Sequence, residues 1–189
     1  MNRRYFLKVE ALTGGDLLIG IGTPALADTN EPDETYTQLS AFLKIGKDSS
    51  IHVMLSKAEM GQGVWMTLPM LIAEELDCDL NKIKIETGLP GQTANFTGKP
   101  VYRSTGGSGT AKQAFDRYRQ AGAVARTMLV TAAARKMGVS PADCRTQNGW
   151  VICGTKYVRY GEVASEAALL PVPEVTLREP KNWKYIGPS

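Results

Sequence analysis

The run AKQAFDRYRQAGAVARTMLVTAAARKMG, entered through STGGSGT, constrains the chain most: it predicts one long helix from Ser108 or Thr110 to about Met137, ending at Gly138. Either hydroxyl can accept a free N–H of the first turn, and a glycine past the last turn is a normal helix stop. A second helix is expected from about Trp65 to Leu76, with Leu68, Leu71, Ile72 and Leu76 on one face. Around these helices the pattern changes to period two. AFLKI (Ala41 to Ile45) and IHVML (Ile51 to Leu55) flank GKDSS and read as a hairpin, and NKIKIET (Asn81 to Thr87) reads as a strand. CRTQNGWVIC is a hairpin turning at Asn148 and Gly149, and KYVRYGEVASEAALL gives a short strand and a short helix. Hairpins and helices without regular βαβ alternation predict an α+β fold, with hairpins and a mixed sheet packed against two main helices.

The chain has 189 residues, 43% hydrophobic and 22% charged, enough to bury the core of one ordinary soluble domain. A net charge of +3, with Lys and Arg scattered rather than clustered, argues against a nucleic-acid partner. Cys78, Cys144, Cys153 and the one histidine, His52, do not make a zinc ligand set. Free, mostly buried thiols are expected, with a Cys144–Cys153 bond across the hairpin as the alternative.

Residues 1–27 differ from the rest. Arg3 and Arg4 precede YFLK, LLIGIGTPALA is a short apolar run, and Ala25 to Ala27 offer small residues before Asp28. This is the pattern of a cleaved twin-arginine signal, which implies periplasmic export. The apolar run is too short to span a bilayer. The competing reading is a disordered N-terminus with a chance arginine pair in a cytoplasmic protein; Glu10 and Asp16 favour it by interrupting the apolar region. Residues 28–39 are polar and read as a flexible linker. The folded domain is expected to begin near Ser40 and run over 40–170, with an extended, proline-containing tail over 171–189 leading to a next domain.

Two glycine loops carry the candidate chemistry. In EMGQG, Gly61 and Gly63 permit unusual dihedrals and close approach, and Gln62 presents an amide at a helix start that favours anions. A tight turn with a solvated Gln62 explains the same spacing. In STGGSGT, Gly106, Gly107, Ser108 and Thr110 make a candidate phosphate cradle at a helix start, although no P-loop lysine follows. The Gly-, Pro- and Thr-rich stretch from Gly88 to Tyr102 reads as a long loop of the kind often functional.

LSKAEMGQGVWMTLPMLIAEELDCDLNKIKIE, TGGSGTAKQAFDRYRQAGAVARTML and LPVPEVTLREPKNWKYIG resemble, in that order, the molybdopterin-binding subunit of the xanthine oxidase/aldehyde oxidase family. The branch they resemble contains the isoquinoline 1-oxidoreductase beta subunit and similar periplasmic aldehyde dehydrogenases. The resemblance implies that Gln62 hydrogen-bonds an oxo ligand of molybdenum, with Gly61 and Gly63 shaping the loop, and that no residue here binds the metal directly. It places Gly106, Gly107, Ser108 and Thr110 against the cofactor, molybdopterin cytosine dinucleotide. GGSGT stands where family members often read GGST, which puts the hydroxyl after Ser108 out of pattern. Family subunits are several times longer, and their general-base glutamate lies far downstream, so no catalytic residue is expected here. Glu59 sits in the wrong motif for that role, and Glu74 and Glu75 read as helix-surface charges. Trp65 and Met66 read as core residues opening an amphipathic helix, with lining of the site as the alternative.

The implied partners are the remainder of the subunit, a small subunit carrying iron–sulfur clusters, which three cysteines cannot bind, and a cytochrome acceptor. The alternatives are a truncated, non-catalytic domain of a split gene, or a small secreted module binding a phosphorylated ligand through the two loops.

Overall fold

The computed structural model describes residues 7–12, 14–22, 39–55, 57–86, 105–107 and 109–187. Five strands, β1 (Leu7–Ala11), β2 (Leu17–Gly22), β3 (Leu39–Ile45), β4 (Ile51–Met54) and β5 (Ile83–Glu86), form one sheet in that order. The first four pair antiparallel; β5 lies parallel to β4, reached through helix α1 (Val64–Leu76). The register explains the alternation seen in the sequence. Leu17 faces Ile45, Ile45 faces Ile51 and Ile51 faces Ile83, while Val9, Ile19, Leu43, Val53 and Ile85 make the next row. Period two therefore places both rows on one face, and Leu17, Ile19, Leu43, Ile45 and Val53 are fully buried there. Burying each such side chain contributes about 1.5–3 kcal/mol.

Helix α2 (Thr110–Met137) packs on α1, and Gly138, at φ 69°, closes it as expected. The helices meet closely because Gly122 has no side chain: a Cβ there would sit 2.8 Å from the carbonyl oxygen of Ile72. Beyond α2, β6 (Cys144–Gln147), β7 (Trp150–Cys153) and β8 (Lys156–Arg159) form an antiparallel sheet, and α3 (Ala164–Ala168) follows a 3-10 turn. Asn148 and Gly149 both take positive φ at the hairpin turn, as the sequence predicts. Tyr160, fully buried, ties this sheet to α1 by donating its hydroxyl to the carbonyl of Leu76 at 2.6 Å. The α+β fold read from the sequence is the observed one.

Four expectations change. The folded part begins well before Ser40, because the apolar run assigned to a leader is an inner strand. Leu17 and Ile19 enter the core, and Asp16 pairs with Lys44 at 3.2 Å and accepts the Lys47 N–H. The β1–β2 turn is held further by Ser165, whose hydroxyl donates to the carbonyl of Gly15. Arg3, Arg4, Ala25 to Ala27, residues 28–38 and the loop from Gly88 to Tyr102 lie outside the described residues.

Cys144 and Cys153 form a disulfide instead of standing free, because they are direct partners in the β6–β7 register. Cys78 is the buried free thiol.

Glu74 and Glu75 are not surface charges. They are 1% and 0% exposed, under the tail, which has a 3-10 turn at Pro180–Asn182. Glu74 accepts the backbone N–H groups of Lys184, Tyr185 and Ile186, at 2.6 to 3.1 Å. Glu75 accepts the N–H of Arg178 and the guanidinium of Arg119. A segment outside any sheet needs acceptors for its amides, and these two carboxylates supply them for Arg178 and for Lys184 to Ile186.

Thr110 does not cap α2: it is the first helical residue and buried, behind Gly109 at the cap position.

Candidate functional site

The EMGQG loop leaves β4 and enters α1. Gly61 and Gly63 adopt φ of 92° and 80°, which side-chain-bearing residues rarely take. Among the described residues, no heavy atom beyond the chain neighbours lies within 4 Å of where a Cβ would stand on either, so they leave this face of the backbone open. The start of α1 is already supplied with an anion. Glu59 Oε1 accepts the N–H groups of Gly61 and Gly63 at 2.8 and 2.9 Å, and Oε2 accepts that of Trp65 at 2.9 Å. Those bonds, from Trp65 first and then Gly63, hold the Glu59 carboxyl below the usual carboxylate range. The helix end is therefore occupied from within, and the chain's own carboxylate stands where a ligand anion was expected.

Gln62 is exposed at the tip of this loop, and its amide is engaged at both ends. Nε2 donates to the carbonyl of Ala58 at 2.9 Å, and Oε1 accepts the Met60 N–H at 2.6 Å. Nε2 keeps a second N–H and Oε1 a second lone pair, so a ligand can engage Gln62 with both loop bonds in place. Trp65 is half-buried and donates Nε1 to the carbonyl of Lys57, whereas Met66 is 67% exposed rather than core. Met60, at 71% exposure, stands on the same loop.

The second glycine loop is brought to the first by one hydroxyl. Thr105 Oγ1 accepts the Ala58 N–H at 3.0 Å and donates to the Ala58 carbonyl at 2.9 Å. Gly106 and Gly107 follow at once, exposed, Gly107 with φ 61°, and among the described residues neither has a heavy atom beyond the chain neighbours within 4 Å of a would-be Cβ. Ser108 lies outside the described residues. Gly61, Gln62, Gly63, Gly106 and Gly107 thus belong to two loops fastened at one point, both with open backbone. Thr110 sits behind them, buried in α2.

Sequence reasoning missed Thr105 and misjudged Glu59. Glu59 carries a local signal: a carboxylate two, four and six residues before three N–H groups of a glycine turn. Thr105 carries none, since its partner is 47 residues away.

The arrangement fits a large anionic cofactor in one respect and sets a condition in another. Open glycine backbone on two joined loops allows close approach of a bulky group. The Gln62 amide can donate its second Nε2–H to such a group, provided its bonds to Ala58 and Met60 leave that N–H facing outward. No group of three or more His, Cys, Asp or Glu is placed to hold a metal among the described residues.

Residues 7–187 match the model of the molybdopterin cofactor-binding domain. The chain is 30% identical over 172 residues to a membrane-bound aldehyde dehydrogenase (pyrroloquinoline-quinone) of Gluconacetobacter polyoxogenes, covering 88% of this chain and 21% of that protein. It is also 30% identical over 181 residues to the isoquinoline 1-oxidoreductase subunit beta of Brevundimonas diminuta, covering 92% of this chain and 22% of that one. The quinoline 2-oxidoreductase structure from Pseudomonas putida 86 superposes with a TM-score of 0.52 at 21% identity, over 72% of this chain and 18% of that one. The likeness to that structure is one of fold. Thus the chain spans about a fifth of the length of the relatives it matches. By the match over residues 7–187, it belongs to the molybdopterin cofactor-binding domain family.

Proposed function

We propose that this chain is the N-terminal cofactor-binding portion of a molybdenum hydroxylase large subunit. The observation that carries the reading is the Thr105–Ala58 link, which fastens the EMGQG and TGGS loops into one open glycine surface. Its cofactor would be molybdopterin cytosine dinucleotide, with Gly61, Gln62, Gly63, Gly106, Gly107 and Ser108 toward it. When bound, that group supplies two-electron oxidation of an aldehyde or N-heterocycle with water as oxygen source. The part of this chain is to present backbone N–H groups and the Gln62 amide and to exclude bulk from the approach. The catalytic base, the substrate pocket and the iron–sulfur electron path belong to the remainder of the subunit and a small-subunit partner, with a cytochrome as acceptor. The aldehyde dehydrogenase relative is named for pyrroloquinoline quinone, which makes that quinone the competing cofactor.

Periplasmic location through the twin-arginine pattern at Arg3 and Arg4 is part of the same proposal. The Cys144–Cys153 disulfide supports it, because such bonds persist in oxidising compartments. Burial of Leu17 and Ile19 weighs against removal of the whole segment before Asp28.

The test uses the intact subunit with its partner. Molybdenum content by mass spectrometry separates the molybdopterin reading from the quinone reading. Gln62→Ala should lower turnover by roughly 10–100-fold while leaving the melting temperature unchanged, the size seen when a group supporting a metal site is removed. Loss of folding with full activity in the surviving fraction would sink the assignment.

A further inference from the structure

One cleft has no place in that reading. It lies between the middle of α2, the β6 strand with the turn before it, and the tail, and it is an open cleft of about 800 Å³. Arg126, Arg145 and Arg178 line it, and Asp77 is the one carboxylate among the lining residues. It is remote from the glycine loops: Arg126 stands more than four turns along α2 from Thr110, roughly 24 Å at 1.5 Å per residue.

The charges do not balance. Asp77 is committed, accepting Lys184 Nζ at 2.5 Å, the Thr146 hydroxyl at 2.8 Å and Arg178 Nη2 at 3.2 Å. Arg145 is exposed and donates Nη1 to Gln147 Oε1 at 2.9 Å. Arg126 is half-buried and has no hydrogen bond or ion pair among the described residues. Burial, and after it the Arg178 charge, push the Arg126 pKa down, and the more distant charges of Glu75 and Asp77 offset this only in part. The hydroxyls of Thr127 and Thr131, on the same wall, donate to the α2 carbonyls of Ala123 and Thr127. The guanidiniums are therefore the charged donors left for a ligand. A planar five-donor fork held partly out of water is matched by an oxyanion, most fully by a phosphate.

We propose that this cleft binds the phosphate of a small phosphorylated molecule, gripped by Arg126 and Arg145 and flanked by Arg178. The volume suits a nucleotide-sized ligand better than a bare ion, since small-molecule sites span roughly 300–1,000 Å³. This site is separate from the two glycine loops and does not depend on the cofactor reading.

Calorimetric titration of the 189-residue chain with inorganic pyrophosphate, at fixed ionic strength, tests it. One-to-one saturable binding is expected. Arg126→Gln and Arg145→Gln should each weaken it about tenfold or more, the worth of a charged hydrogen bond. Lys112→Gln, which removes a charge near the start of α2, should change it less than twofold. Arg145 is exposed, so its replacement keeps the assay informative even where Arg126→Gln lowers the melting temperature. No saturable binding at about 10 mM pyrophosphate would overturn the proposal, and would leave a carboxylate from another chain segment as the partner of Arg126. Equal weakening by all three substitutions, or full binding by Arg126→Gln, would overturn it as well.

Discussion

Glu75 Oε1 accepts both Nε and Nη2 of Arg119, at 2.9 and 2.7 Å, in the seam where α1, α2 and the tail meet. The pair is buried on both sides, and Arg119 is held further by the Arg178 carbonyl at 2.6 Å and by the faces of Phe115 and Trp183. Removing the carboxylate strands a buried guanidinium and frees the Arg178 N–H. Glu75→Ala should therefore cost about 3–5 kcal/mol in urea unfolding, and Glu75→Gln less, since its amide oxygen still accepts. A loss below about 1 kcal/mol for Glu75→Ala would show that the seam is solvated in solution.

Gly122 stands in the same seam for a steric reason. A methyl group there meets the Ile72 carbonyl at 2.8 Å and the Glu75 Cβ at 3.0 Å, and the first of these is backbone. Replacing a helical glycine by alanine ordinarily gains about 1 kcal/mol of propensity. Overpacking typically costs about 1–3 kcal/mol. Gly122→Ala should come out net destabilising, with a lower urea midpoint and an unchanged slope. A higher midpoint would mean the helices separate easily.

Much of this molecule was legible because periodicity reports burial. The helix faces, the β3–β4 hairpin and the turn at Asn148 and Gly149 came from spacing alone. What failed depends on distant partners. LLIGIG is equally a leader's apolar run and an inner strand, and only pairing with β3 decides between them. Glu74 and Glu75 look like solvated helix charges until the tail, which has no period of its own, crosses above them. The disulfide was closer to hand, since a two-residue turn at Asn148 and Gly149 sets Cys144 opposite Cys153. At the loops, the glycines and Gln62 stood out by type, while Thr105 was hidden by its distance from Ala58 along the chain.

The three cysteines should behave differently. The Cys144–Cys153 bond closes a loop of sequence separation 9, and reduction should lower unfolding free energy by roughly 2–3 kcal/mol. Cys78 is buried, with its thiol pushed up to about 12 by burial and then by Asp77 and Asp79, so it is inert in the fold. One thiol should react with a chromogenic disulfide reagent, and only after denaturation. Rapid labelling of the native, unreduced protein at pH 8 would contradict both assignments.

Asp77 gives the stability a direction in pH. Burial alone would raise its carboxyl pKa, but the bonds from Lys184 and Thr146 and the charges of Lys184 and Arg178 outweigh it and leave the pKa lowered. The folded state then binds fewer protons than the unfolded one as this group titrates. Its contribution is present above the unfolded value of about 3.9 and is lost as pH falls through the lower folded value. Asp77→Asn removes that dependence, while Glu59 and Asp48, also lowered, keep theirs in both proteins. Urea midpoints at pH 6 and pH 3 should therefore fall further for the wild type than for Asp77→Asn. Equal drops would mean that the tail, with Arg178 and Lys184, lifts away from Asp77 in solution and leaves the carboxylate to water.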